Sequence, residues 1–183
     1  MYRIKSDKRI EKSVANICDG LYQCLKEKSF SSITVNEITD AAGVSRATFY
    51  RIFDSPQDIL SYLCDQLIVD VVNYLMSANN YSAAKIRADS LNMWLSKADL
   101  ISAIYNSGNP NILSDCLQKY LKSSYFTGMG VITQDEMDYL QETLSTILDA
   151  VLRVWLRHNK KESAEEILGL YSKIASIIGI IFN

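Results

Sequence analysis

Histidine is nearly absent from this chain of 183 residues: His158 is the only one. A single imidazole leaves few routes to acid–base or nucleophilic catalysis, although carboxylates alone can act. No Ser/His/Asp set, no G-x-x-x-x-G-K-S/T loop, no H-E-x-x-H pair and no metal-ligand cluster accompanies it. The chain therefore reads as a non-enzyme with no cofactor and no metal, and His158, beside Arg157, reads as a cation at a helix C-terminus. Proline and glycine are scarce, at two and seven residues. With no alternating, strand-like runs, that scarcity favours an all-α fold. The four cysteines (Cys18, Cys24, Cys64, Cys116) show no C-x-x-C spacing. They read as reduced thiols of a cytoplasmic protein, and a redox-sensing thiol stays open as the second reading. No convincing membrane span is present: the best apolar run, Ile167 to Phe182, contains Lys173 and falls short of the ~20 residues a span needs. The opening Met1-Tyr2-Arg3-Ile4-Lys5 is not a secretion signal.

What the chain does have is enough apolar matter for a core. Hydrophobic residues make up 48% and charged residues 22%, which excludes a disordered chain. A chain of this length buries roughly 70% of its unfolded surface. The formal net charge is −2. It is unevenly spread: residues 1–56 carry nine Lys/Arg against seven Asp/Glu, and residues 57–183 carry ten against fourteen. The basic group at the start (Arg3, Lys5, Lys8, Arg9, Lys12) suits a phosphate backbone, and equally suits a solvated helix start.

Residues 31–58, SSITVNEITDAAGVSRATFYRIFDSPQD, hold the densest set of local signals. Thr34 and Glu37 have the T-x-x-E spacing of a capping box. A short helix follows, with Val35, Ile38, Ala41 and Ala42 on one face. Gly43 stands where the chain must turn, Val44 reads as a buried anchor, and Ser45 caps the next helix. That helix, Arg46 to about Ile52, leads into Phe53. Phe49 and Phe53, four apart, share one face, while Arg46, Ala47, Thr48, Tyr50 and Arg51 mostly face elsewhere. Ser55-Pro56-Gln57-Asp58 opens a long helix with a Ser cap, Pro at the first position and an early acid. Two short helices around a glycine turn are the layout of a helix-turn-helix reader of duplex DNA.

This stretch resembles the DNA-binding segment of the TetR family of transcriptional regulators, as TVNEITDAAGVSRATFYRIFDSPQDIL. The resemblance implies an N-terminal three-helix head on a larger helical body that binds effectors and dimerises. It also implies DNA contacts from Thr34, Asn36, Ser45, Arg46, Ala47, Thr48, Tyr50 and Arg51. Tyr50 is the strongest of these, its hydroxyl turned out towards a phosphate because Phe49 faces the core. Arg46 and Thr48 suit either bases or backbone. Two positions depart from the family pattern. Ile52 stands where a His or polar residue is common, and Pro56 where a phosphate-touching Lys is usual. Arg51 is the substitute source of phosphate affinity.

Periodicity places about nine helices. The first runs from about Asp7 to Lys28, with Ile10, Val14, Ile17, Leu21 and Leu25 in one stripe. The fourth runs from about Pro56 to Ser77, with Leu60, Leu63, Leu67, Val71 and Leu75 in register. Others cover about 82–96, 98–106, 112–125, 133–158 and 163–182, the eighth opened by a second T-x-x-E at Thr133–Glu136. The expected domains are a helix-turn-helix head over 1–55 and a body over 56–183. In the last helix Ile167, Leu170, Tyr171, Ile174, Ile177, Ile178 and Ile181 read as a broad core face. Gly169, Ser172, Ser176 and Gly179 form a small, uncharged stripe. This stripe reads as a contact with a second copy, through a four-helix bundle of the last two helices; a contact inside one chain is the alternative. Tyr62, Trp94, Tyr105, Tyr120, Tyr125, Tyr139 and Trp155 read as linings of an effector pocket or as core filling.

The function expected from all this is a dimeric DNA-binding regulator, a repressor released from a palindromic operator of double-stranded DNA by a small-molecule effector. A protein-binding adaptor on a TetR-like scaffold with weakened DNA contact is the second reading, carried by Ile52, Pro56 and the near-neutral head. The effector, the operator and the choice between repression and activation are not written in the sequence.

Overall fold

A computed structural model describes residues 2–3, 8–78, 80–109, 111–121 and 133–182, the side chains of 121 and 178–182 apart. Nine α-helices lie among them: α1 Lys8–Glu27, α2 Val35–Ala42, α3 Arg46–Ile52, α4 Pro56–Ser77, α5 Ala83–Leu95, α6 Ala98–Tyr105, α7 Ile112–Leu121, α8 Gln134–Arg157 and α9 Ala164–Phe182. A 3-10 turn, Phe30–Ser32, precedes α2. The described β-structure is one isolated antiparallel bridge, between Tyr2 and Phe53. The expected all-α class holds, and the helix limits fall within a residue or two of the periodicity. Of the seventh helix, the part beyond Leu121 lies outside the described residues.

Contacts divide the chain into two compact units. The first joins Met1–Gln66 with Asp99–Lys119, and the second joins Leu67–Ala98 with Tyr120–Asn183. The head expected over 1–55 lies inside the first unit, which also takes in most of α6 and α7. Helix α4 runs from one unit into the other. It is also the described helix long and apolar enough, by length and composition, to cross a membrane. Its Ile59, Leu60, Cys64, Leu67 and Ile68 are instead buried within the protein. Leu75, expected in the same stripe, is exposed.

In the first unit, Val14, Ile17, Cys18, Leu21 and Cys24 bury one face of α1. Helix α2 lies against it, and Gly20 marks their closest approach. A Cβ on Gly20 would sit 2.7 Å from the Ile38 carbonyl oxygen and 3.0 Å from the Ala42 backbone nitrogen. Both are backbone atoms and cannot swing aside. The buried face of α2 is Ile38 with Thr39, while Ala41 is exposed and Val35 half-buried. Thr39 is accommodated because its hydroxyl donates to the Asn36 carbonyl at 2.9 Å.

In the second unit, Leu91 of α5, Val151 and Trp155 of α8, and Ala164 and Ile167 of α9 form a core. The Trp155 indole N–H donates to the Glu162 carbonyl at 3.1 Å, so this ring is both packed and satisfied. The α8–α9 corner turns through Asn159 and Lys160, both left-handed at φ 58° and 60°. Their amides close the end of α8, Asn159 onto the Leu156 carbonyl at 3.0 Å and Lys160 onto Trp155 at 2.9 Å. On α9 the core side is Ala164, Ile167, Leu168 and Tyr171. Leu170, Ile174 and Ile177, expected in the core face, are exposed.

Gly20→Ala is expected to destabilise the protein. Overpacking against rigid neighbours costs ~1–3 kcal/mol, against ~1 kcal/mol regained in helix preference. A lowered urea midpoint checks this; an unchanged or raised midpoint removes the close-approach argument.

Candidate nucleic-acid interface

The two short helices are defined by their ends. Thr34 is extended (φ −103°, ψ 158°) and caps α2. The Glu37 amide donates to Thr34 Oγ1 at 3.4 Å, and the Thr34 amide donates back to Glu37 Oε2 at 2.9 Å. The capping box expected from T-x-x-E is therefore closed. Glu37 also pairs with Lys28, just beyond the end of α1. That cation first, then the Thr34 amide and hydroxyl, hold the Glu37 carboxyl down at about 2.

Gly43 ends α2 in the left-handed region (φ 62°, ψ 34°), where an L side chain is strained. Val44, expected as a buried anchor, is half-buried. Ser45 starts α3: its Oγ accepts from the Thr48 amide at 3.1 Å and lies 3.0 Å from the Thr48 hydroxyl. Thr48 is thus half-buried and engaged in the cap.

Along α3 the inner side is apolar. Phe49 and Phe53 are fully buried, and Ile52 is 1% exposed. Ile52 stands at a polar position of the family pattern because here it fills the core. The other side is open: Arg46, Ala47, Tyr50 and Arg51 are all exposed. Tyr50 packs its ring edge-on against Phe49 at 5.3 Å. The Arg46 guanidinium lies 5.9 Å from the Tyr50 ring centroid, within cation–π range. The two polar tips are therefore held on the same outward face, one turn apart. Thr34, Asn36 and Ser45 are exposed as well. Of the eight residues expected at DNA, seven are exposed and Thr48 is half-buried.

Helix α4 opens with Pro56 at its first position and the acid Asp58 in its first turn, as expected. Its first turn is closed by Asp58, whose Oδ2 accepts from the amides of Asp54 at 2.9 Å and Ser55 at 3.0 Å. The basic N-terminal residue Arg3 is exposed but already partnered. It pairs with Asp54 at 3.0 Å, and its amide donates to the Ile52 carbonyl at 2.8 Å.

The aromatic residues expected at an effector pocket do not share one environment. Trp94 and Trp155 are buried, Trp155 as core filling. Tyr62, Tyr105 and Tyr120 are half-buried, and Tyr125 lies outside the described residues. Tyr139 is 79% exposed, so in this chain it lines no enclosed space. Tyr62 does border a groove of about 310 Å³ with Val14, Cys18 and Tyr22. Burial first, then the neighbouring Asp19, pushes the Cys18 thiol up to about 12, away from the reactive thiolate form. In the expected small stripe of α9, Gly169, Ser172 and Ser176 are exposed, and the surroundings of Gly179 lie outside the described residues. Gly169 and Ser172 border a groove of about 570 Å³ with Ala84 and Ala88 of α5.

Two short capped helices joined by a glycine turn, the second with an exposed polar row and an apolar inner side, make a helix-turn-helix head. Residues 17–63 match the model of the bacterial regulatory proteins of the tetR family. No curated protein matches the sequence. Among crystal structures, Lin0861 from Listeria innocua is similar over 96% of each chain, with a TM-score of 0.77 at 17% identity. A TetR transcriptional regulator from Streptococcus agalactiae is similar over 92% of this chain and 96% of its own, with a TM-score of 0.60 at 23% identity. The TetR family repressor AlkX from Dietzia sp., implicated in biodegradation of n-alkanes, covers 91% of this chain and 96% of its own, with a TM-score of 0.56 at 16% identity. The chain carries the tetR-family helix-turn-helix module on a TetR-like fold.

The Glu37 carboxyl is depressed, so its stabilisation is present above the ordinary carboxylate pKa and is lost as pH falls. Unfolding of the head followed between pH 5 and 2 should show a loss of stability across this window. Glu37→Gln should flatten that slope; an unaltered slope would mean the box does not hold the fold.

Proposed function

We propose that the protein is a DNA-binding transcriptional regulator, a repressor that leaves a palindromic operator when a small-molecule effector binds. The carrying observation is the open face of α3, where Arg46 and Tyr50 stand side by side with Arg51 nearby. Arginine grips guanine edges or phosphates through two parallel donors, and a tyrosine hydroxyl donates to a phosphate oxygen. Thr34 and Ser45 sit at helix N-termini, where backbone amides favour an anion.

A dimer supplies two such heads for the two halves of a palindrome. Its support is the apolar row Leu170, Ile174, Ile177 on α9, exposed at spacings of four and three, with Leu144 and Ile147 exposed on α8. The small Gly169, Ser172 and Ser176 let a second backbone approach. A second copy of these two helices is the proposed occupant. Half-buried Tyr62, which borders the groove with Val14, Cys18 and Tyr22, is the aromatic group proposed to meet an effector. The effector releases DNA only as far as it binds the non-DNA state more tightly.

The adaptor reading keeps one specific support. Pro56 replaces the usual phosphate-touching Lys, and Arg3 of the head's basic group is already paired with Asp54. A gel shift with the DNA flanking the protein's own gene, over a salt series, separates the two readings. A regulator gives a steep fall in affinity with salt and a palindromic footprint. No retardation of any genomic fragment, with light scattering still reporting a dimer, favours the adaptor.

Arg46→Ala is expected to weaken operator binding by ~1–3 kcal/mol and to relax preference at one base position. Uniform weakening across operator variants would assign Arg46 to phosphate instead.

A further inference from the structure

Tyr2 is fastened within the first unit in three ways. Its backbone bridges to Phe53, the C-terminal cap of α3. Its ring packs edge-on against Tyr62 of α4 at 5.4 Å and tilted on Phe53 at 6.4 Å. Its hydroxyl donates to Asp65 Oδ2. The same oxygen accepts from Lys119 Nζ of α7 at 2.5 Å, and that ammonium lies 5.7 Å from the Tyr2 ring centroid.

Asp65 is 2% exposed, and its Oδ1 has no hydrogen-bond partner. A buried carboxylate is costly to leave short of partners. The Tyr2 hydroxyl and the Lys119 ammonium are what compensate it. Burial first, then the bond to Asp65, raises the Tyr2 phenol above its usual range. It therefore remains a donor throughout the neutral pH range. A three-residue junction thus joins the end of the recognition helix, the middle of α4 and the C-terminal part of α7.

We propose that Tyr2, Asp65 and Lys119 are positioning residues for DNA reading: they strap the end of α3 to α4 and α7. The strap rests on the proposed DNA-reading role of α3. A head lacking it still folds on its own core of Phe49, Ile52, Phe53 and α1, but holds α3 less firmly.

The test uses the full chain with Tyr2→Phe, Lys119→Met, both together, and Lys119→Arg. Amide hydrogen exchange of Ile52 and Phe53 is read first, without DNA. Each single variant should speed it about three- to tenfold, the range a lost buried hydrogen bond gives. The double variant, which leaves Asp65 with neither donor, should exchange faster than either single one, and Lys119→Arg should restore most of the protection. Unchanged exchange in α3 on Lys119→Met, or a double variant no faster than Tyr2→Phe alone, would overturn the strap. Retardation of the flanking DNA is read second. Weakening of about three- to tenfold in each single variant is expected, and variants equal to a DNA-binding wild type would also overturn the proposal. A wild-type chain that retards no DNA would instead remove the DNA-reading role, with the exchange result standing apart from it.

Discussion

Helix α3 has seven residues, too few to persist by itself in water, where even favourable sequences need roughly 12–15. Its existence depends on burying Phe49, Ile52 and the adjoining Phe53 in the head. That single constraint orients everything else on it. Once three apolar groups are pinned inward, the period of the helix leaves Arg46, Ala47, Tyr50 and Arg51 outward. The caps at Thr34 and Ser45 then set where each helix starts, and the left-handed Gly43 sets the angle between them. The floor beneath is the α1–α2 contact, made close enough by Gly20 that the cores of the two helices merge.

Charge in the head is arranged around the same core. Lys28 is drawn to Glu37 and Arg3 to Asp54, so acids near the ends of short helices are matched locally. Exposed pairs of this kind contribute little to stability, typically ~0–1 kcal/mol. Their effect is to spend N-terminal cations inside the protein. Arg46 and Arg51 of α3 stay exposed in a chain of net charge −2.

The parts of this architecture legible in the sequence are the local ones. Both T-x-x-E boxes, the Gly43 turn and the Phe49–Phe53 pairing depend on residues at most four apart, and they stand as read. Helix limits followed from periodicity for the same reason. What was not legible depends on distance along the chain. Tyr2 and Asp65 are separated by 63 residues and Asp65 and Lys119 by 54, and no pattern in either neighbourhood announces them. Gly20 sits in mid-helix, where only the neighbouring backbone shows why a side chain is excluded. Helix α9 is apolar on more than one side, so periodicity alone could not say which side meets the core. It assigned Leu170, Ile174 and Ile177 inward along with Ile167 and Tyr171, whereas packing with α5 and α8 keeps only Ile167 and Tyr171 of these and adds Leu168. The aromatic residues of the body could not be sorted for a related reason: a large ring fills a core as readily as it lines a cavity.

The corner at Asn159 and Lys160 shows a different kind of control. Both residues are exposed, so side-chain contact would suggest wide freedom to vary there. Their backbone handedness says otherwise. Branching at Cβ would raise the cost of a left-handed residue beyond the ~1–2 kcal/mol an ordinary side chain already bears. Valine, isoleucine and threonine are thus barred from two solvent-facing sites. Glycine would ease the folded turn while enlarging the ensemble it must fold from. Permissible sequence at this surface is decided by chain direction, with solvent exposure having almost no say.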